Sequence, residues 1–272
     1  MSEQERNAAR AAALIECEGV TASESGYEVL RDVTVSFPEG RSTVIMGPSG
    51  CGKSTLLKVA AGLIPPDRGR VRYGGEDINR MSERRIGEIR KRNGFAFQDA
   101  ALWENKTIQE NLALPLQVNF PELSGKEIDA RVRESLERAS LVDSRTLRPA
   151  QLSGGERKLI GFLRALIVEP SLLFMDTPTG TIDPVMAEKI MAMIREVKSR
   201  GCTIVAVTHD RRIASTLADR LVVLSSGIIL AEGEFNTVKN SQDPRVREVL
   251  AEALGEIASF DTDLLSLLDG EK

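Results

Sequence analysis

Nine consecutive residues carry the most specific chemistry in the chain: Gly47, Pro48, Ser49, Gly50, Cys51, Gly52, Lys53, Ser54 and Thr55 fit the spacing GxxxxGK[ST]. Glycines at those positions let backbone N–H groups curl around phosphate oxygens, the Lys53 ammonium reaches the terminal phosphates, and the Ser54 hydroxyl is placed to bind Mg²⁺. Such a loop needs a strand running into it and a helix running out of it, with the positive helix end facing the phosphate. Ser42 to Met46 supplies the β-branched run and Lys53 to Ala61 the helical pattern. Cys51 occupies a variable position of the loop. It is either a space-filling residue or, if exposed, a thiol whose alkylation blocks nucleotide binding and which nucleotide protects.

A phosphate cradle also needs an acidic Mg²⁺ partner at the end of another strand, and Asp176 closes the run Leu172 to Met175. Upstream, Leu152-Ser153-Gly154-Gly155-Glu156 opens a helix expected to run through Ile167. That places a second cluster of backbone donors at a positive helix end. Alone it is an ordinary glycine-rich N-cap. Beside a cradle that carries the lysine, it reads as a second cradle that caps a nucleotide held by the first.

The elements that must position these residues follow from the alternation of short β-branched runs with helical patterns. Pro184 to Ser199 follows the Asp176 strand, and Thr203 to Val207 precedes Arg211 to Leu217. This predicts an α/β fold with a parallel sheet core flanked by helices. The first 40 residues and the segment Gly69 to Gly74 predict short strands in an antiparallel β subdomain. The middle of the chain predicts an inserted helical subdomain over about 99–167, with a charged amphipathic helix near Gly125 to Ser140. Residues 1–14 are expected to form a tail, 15–235 the main domain and 236–272 a helical extension. The extension opens at Asp243-Pro244 and sets Val246, Val249, Leu250, Leu254 and Ile257 on one face.

Composition narrows the function classes. The 272 residues are 42% hydrophobic and 28% charged, the profile of an ordinary soluble globular protein. A net charge of −4 leaves no global basic field to draw nucleic acid, so no nucleic-acid partner is expected. The longest apolar stretch, Leu221 to Ala231, is broken by Ser225, Ser226 and Gly227, too short to cross a bilayer. Glu3 and Glu5 stand among the first basic residues, unlike a signal peptide. Cys17, Cys51 and Cys202 form no CxxC pair and suit a reducing cytosol.

With these motifs in order, the sequence resembles the ATP-binding cassette ATPases from about Ile15 to Gly233. Besides the Walker A loop, the LSGGE signature and the Walker B strand ending at Asp176, it has a Q-loop in Phe97-Gln98-Asp99, a D-loop ending in Asp183 and a switch histidine in Thr208-His209-Asp210. The resemblance implies a P-loop NTPase (RecA-like) core and an ATPase using ATP and Mg²⁺. It implies a head-to-tail homodimer in which Ser153, Gly154, Gly155 and Glu156 of one chain close over the nucleotide on the other chain's Lys53. Gln98 then touches Mg²⁺ and the attacking water, His209 touches the γ-phosphate, and Ser54 and Asp176 complete the metal ligands.

Two positions depart from the family's pattern. Its Walker B strand normally ends Asp-Glu-Pro, the glutamate activating water, whereas this chain reads Asp176-Thr177-Pro178. A hydroxyl is no general base near pH 7, and losing one costs about 10²- to 10⁴-fold in rate. Slow turnover is therefore expected, with Asp210 as a replacement base or as a residue that only shapes its loop. The family also stacks an aromatic ring on adenine, where this chain has Glu24; Tyr27, three positions on, either takes that role or is a surface tyrosine.

The interval from Gln98 to Leu152 holds a helical subdomain but no long coiled coil. In transporter members a coupling helix from a membrane permease docks beside the Q-loop, here Ala100-Ala101-Leu102-Trp103 and Leu114-Pro115-Leu116. Details such as Ile45-Met46-Gly47-Pro48, Arg90-Lys91-Arg92 and Asp243 to Arg247 resemble the ATPase subunit of Mce/Mla-type phospholipid transporters. That branch implies a peripheral place on the cytoplasmic face of the inner membrane, with an Mce-type lipid-binding protein and a STAS-domain protein as further partners. There the extension helps hold the dimer together; a helix that caps its own domain is the alternative. Other readings of the whole are a nucleotide-gated clamp with little hydrolysis, a transporter subunit for another substrate, and a cytosolic cassette without a permease.

Overall fold

The computed structural model describes residues 13–180, 182–208 and 210–252, which fall into two compact units. The first joins the chain up to Asn79 with the chain from Ala206 onward; the second is Arg80–Val205. In the first unit β1 (Ala13–Glu24) and β2 (Tyr27–Pro38) form a hairpin, then β3 (Ser42–Met46) leads through a loop into α1 (Lys53–Ala60), β4 (Arg68–Tyr73) and β5 (Glu76–Asp77). The second unit contains α2 (Glu83–Lys91), β6 (Asn93–Ala96), α3 (Ile108–Asn119), α4 (Gly125–Ala139), α5 (Gly154–Leu166), β7 (Leu172–Asp176) and α6 (Pro184–Ser199). Strand β8 (Thr203–Val207) carries the chain back to the first unit, which ends with α7 (Arg211–Leu217), β9 (Arg220–Ser225), β10 (Ile228–Glu234), α8 (Phe235–Lys239) and a helix, α9, over 244–252.

In the first unit an antiparallel sheet runs in the order β2-β1-β4-β5. Beside it, β9 lies parallel to β3, with Thr43 opposite Arg220 and Met46 opposite Val223, and β10 pairs antiparallel with β9. In the second unit β6 and β7 are parallel, with Asn93 opposite Leu172 and Ala96 opposite Met175. Every residue of β3, β7 and β8 is buried, as continuous apolar runs in parallel strands require. An α/β fold with both parallel and antiparallel sheet is therefore what the alternation predicted.

The amino-terminal strands differ from expectation in length. Instead of several short strands, β1 and β2 each run for twelve residues. The reason is local: Gly19, which looks like a turn residue, adopts φ +58 at a break in the β1–β2 register between Cys17 and Val20, and its N–H donates to Thr34 Oγ1 at 2.9 Å. The glycine is a bulge, not a turn.

The helical stretch of the second unit owes its starts to one repeated device. Thr107, Ser124 and Ser153 each cap a helix, with Glu110, Glu127 and Glu156 reaching back to the capping residue's N–H. The reciprocal bonds satisfy two backbone donors per helix end. Helix α4 buries Ile128, Val132, Leu136 and Ala139 and ends at Ser140 in the left-handed region. In α9, Arg245 N–H donates to Asp243 Oδ1 at 2.9 Å and Val246, Val249 and Leu250 are buried. Leu254 and Ile257, expected on the same face, lie outside the described residues, as do residues 1–12 of the expected tail. No helix among the described residues is long and apolar enough to cross a membrane.

Candidate functional site

The lysine-bearing loop sits between β3 and α1 and is shaped by close approach. A Cβ on Gly47 would stand 2.0 Å from Leu224 O, so only glycine lets the loop leave β3 beside β9. Gly52 caps α1 at φ 104, where a side chain would be strained and would meet Val29 O and Leu30 at 2.9 Å. Cys51 ties the loop down: its thiol donates to Leu224 O at 3.3 Å and its carbonyl accepts from Gly227 N–H at 3.1 Å. Burial pushes that thiol's pKa up, against the pull of the Lys53 ammonium. With 7% of its surface exposed, Cys51 fills space, and the exposed-thiol alternative does not apply.

Lys53 is buried to 6%, and its ammonium donates to the loop's own carbonyls, Gly47 O at 2.8 Å and Pro48 O at 2.7 Å. These are neutral acceptors that an anionic phosphate oxygen outcompetes, because charge-assisted bonds are roughly twice as strong. Helix α1 has no acidic residue of its own in its first turn, so the nearest carboxylate there is that of Glu24, brought from β1. Ser49 and Gly50 are exposed and Ser54 half-buried at the mouth of this loop, while Thr55 donates to Glu24 Oε2 at 3.4 Å. Glu24 and Tyr27 pair across the hairpin end, but the structure brings Glu24 to α1 and leaves Tyr27 79% exposed.

In the second unit Asp176 ends β7 with 3% exposure. Thr177 follows at φ +48, a genuine outlier for a β-branched residue and worth about 1–3 kcal/mol of strain. Its hydroxyl donates to Asp176 Oδ1 over a long 3.4 Å. Ser153 and Glu156 are bound to each other through N–H···Oε2 at 2.8 Å and Oγ···Oε2 at 2.7 Å; the Ser153 hydroxyl, then its N–H, hold Glu156 below the usual carboxylate range. The same cap recurs at Thr107 and Ser124, so the box itself is not distinctive. What sets Ser153 apart is Gly154 and Gly155 at the next two positions, which begin the helix with two residues that carry no side chain.

Gln98 is exposed in the turn after β6. His209 lies outside the described residues. Asp210 caps α7 by accepting from Arg212 N–H at 2.8 Å and pairs with the Arg212 guanidinium at 3.3 Å, which suits a loop-shaping role.

Three side chains that sequence reasoning passed over hold these segments in place. The Arg164 guanidinium, from α5, donates to Ala101 O at 2.6 Å and Ala100 O at 2.9 Å, fastening two successive left-handed alanines at φ 64 and 48. Asn111, fully buried, accepts from Trp103 N–H at 2.8 Å and donates to Trp103 O at 3.1 Å, so Trp103 stands 53% exposed on a fixed backbone. Lys158 donates to Thr177 O at 3.5 Å and to Gly180 O. Burial lowers its pKa and the Asp176 carboxylate raises it. A polar residue on the inward side of an apolar helix face was the available signal for Lys158 and Arg164; Asn111 gave none.

Comparison with known proteins fits this arrangement. The family model described as ABC transporter matches residues 30–180. The methionine import ATP-binding protein MetN of Brucella abortus (strain 2308) is 34% identical over 249 residues, 90% of this chain and 67% of that protein. The cell division ATP-binding protein FtsE of Escherichia coli (strain K12) is 36% identical over 202 residues, 74% of this chain and 90% of that protein. Among solved structures, a dimeric ATP-binding cassette in a post-hydrolysis state with ADP and phosphate superposes with a TM-score of 0.74 at 31% identity, covering 81% of this chain and 98% of that one.

Proposed function

We propose that this chain, which belongs to the ABC transporter family as an ATP-binding cassette subunit, hydrolyses MgATP as a head-to-tail homodimer and powers a membrane permease. The observation that carries the reading is the loop after β3: a buried ammonium at a helix N-terminus, resting on carbonyls that phosphate oxygens can replace. Ser54, Gln98 and Asp176 offer hydroxyl, amide and carboxylate oxygens, the hard donors Mg²⁺ takes alongside phosphates. The metal, when bound, neutralises charge on the transferring phosphate. The chain's own part is to cradle the nucleotide at Gly47 to Thr55, present Ser153, Gly154 and Gly155 to the second copy's nucleotide, and direct water and γ-phosphate through Gln98 and His209.

Trp103, exposed on a backbone that Asn111 fixes, supports permease docking beside Gln98. The substrate class we infer is phospholipid, from the likeness of the loop entry and of the Asp243 segment to Mce/Mla-type subunits. An Mce-type lipid-binding protein and a STAS-domain protein are the partners that follow, with the chain at the cytoplasmic face of the inner membrane. The named relatives act in methionine import and cell division, so substrate is the finest part of the reading.

Thr177 favours a second reading, a clamp that binds and closes on ATP with little hydrolysis, since its hydroxyl cannot take a proton from water near pH 7. Phosphate release from the detergent-purified complex with MgATP, with Lys53→Ala as blank, separates the two. A rate above the blank supports a motor; a rate equal to the blank with ATP bound supports the clamp. Failure of the wild-type chain to bind ATP refutes both.

A further inference from the structure

The turn that follows Asp176 has an unfavourable shape and is fastened by a side chain from α5. Thr177 sits at φ +48, and such a conformation persists only where its surroundings impose it. Lys158 contributes to those surroundings: from α5 its ammonium donates to the carbonyls at both ends of the turn, Thr177 O at 3.5 Å and Gly180 O. The turn's own closure is a single bond, Gly180 N–H to Thr177 O at 3.3 Å, and the ammonium adds charge-assisted bonds to the carbonyls at both ends. Thr177 is bonded directly to Asp176 and also shares a hydrogen with its Oδ1, so the path of the turn sets where that carboxylate points.

We propose that Lys158 is a positioning residue for the Mg²⁺ site, clamping the 177–180 turn so that the Asp176 carboxylate is presented to the metal. This rests on the reading of Asp176 as a Mg²⁺ ligand. The alternative for a cation in this place is simple repulsion of the metal, and it predicts the opposite sign: deleting the ammonium would then strengthen the Mg²⁺ dependence of binding.

The experiment measures equilibrium binding of a fluorescent ATP analogue to the full chain, in excess Mg²⁺ and in EDTA, and takes the ratio of the two affinities. Lys158→Met keeps the aliphatic stem and removes the donors; Lys158→Arg keeps donors and charge. Removing a supporting partner of a metal ligand weakens metal binding by about 10- to 100-fold, so Lys158→Met is expected to cut the ratio at least about 10-fold, with affinity in EDTA within about twofold of wild type. Lys158→Arg is expected to restore most of the ratio. Should Lys158→Met fail to fold, judged by its circular dichroism melt, Lys158→Gln is read instead, with the same direction expected. If Asp176→Asn collapses the ratio while Lys158→Met leaves it unchanged or raises it, the proposal is overturned and the metal reading stands. If Asp176→Asn leaves the ratio unchanged, the metal reading fails and the proposal falls with it.

Discussion

Replacing Arg164 by Met tests how the segment after Gln98 is held. The guanidinium makes two bonds, 2.6 and 2.9 Å long, to the carbonyls of Ala101 and Ala100. Bonds from a charged group contribute about 1.5–3 kcal/mol each, and partial exposure of Arg164 puts both at the lower end, about 3 kcal/mol together. Against that, release lets Ala100 and Ala101 leave the left-handed region, where each L-residue costs roughly 1–2 kcal/mol. Ala100 is pinned on Gly161, with 2.8 Å between an added Gly161 Cβ and Ala100 Cβ, so only the exposed Ala101 is free to relax. The net loss is about 1–2 kcal/mol, or a fall in Tm of roughly 2–8 °C for a chain of this size. A melt followed by far-ultraviolet circular dichroism reads the stability, and emission from Trp103, the only tryptophan, reads the loop. A Tm within about 1 °C of wild type together with unchanged emission would show that the guanidinium fork does not hold this segment.

Thr177→Glu is expected to raise the rate of MgATP hydrolysis by about 10²-fold or more if the missing general base limits the chemistry; equal rates in a phosphate-release assay reject that view. The buried thiols Cys17 and Cys202, both pushed up to about 12, and the buried Cys51, also raised, should resist iodoacetamide in the native protein at pH 7.5 and react together on unfolding. Rapid native labelling of Cys51, read by peptide mass spectrometry, contradicts the burial described for it. For pH, Glu110 is held below its ordinary 4.5 by the Thr107 N–H and hydroxyl, and Glu127 and Glu156 by the hydroxyls and N–H groups of Ser124 and Ser153. Depressed folded-state values mean stabilisation present in full above pH 4.5 and lost as pH falls through those lower values. Glu156→Gln should therefore flatten the acid side of a Tm-against-pH curve, and an unchanged slope counts against the capping box as its source.

The parts of this protein whose chemistry is local were legible in its residues alone. GxxxxGK[ST] between a β-branched run and a helical pattern specified the loop from Gly47 to Thr55, because strand, glycines and lysine must be contiguous to wrap a phosphate. The bounds of α6 and β8, Pro184–Ser199 and Thr203–Val207, were legible for the same reason: periodicity and caps act within a few residues. The length of β1 was not legible, because only the register of β1 against β2 shows that the strand continues past Gly19 with the extra residue absorbed as a bulge. Packing between distant segments, invisible in the spacing, buries Cys51 against Leu224 and brings Glu24, not Tyr27, to α1. The same packing points Lys158 and Arg164 from one helix onto turns 19 to 22 and 63 to 64 residues away in sequence. Spacing in a sequence records which neighbours share a helix face or a strand; which carbonyl a long cationic side chain finds is settled by packing between elements, and that is where this chain stores the strain at Thr177.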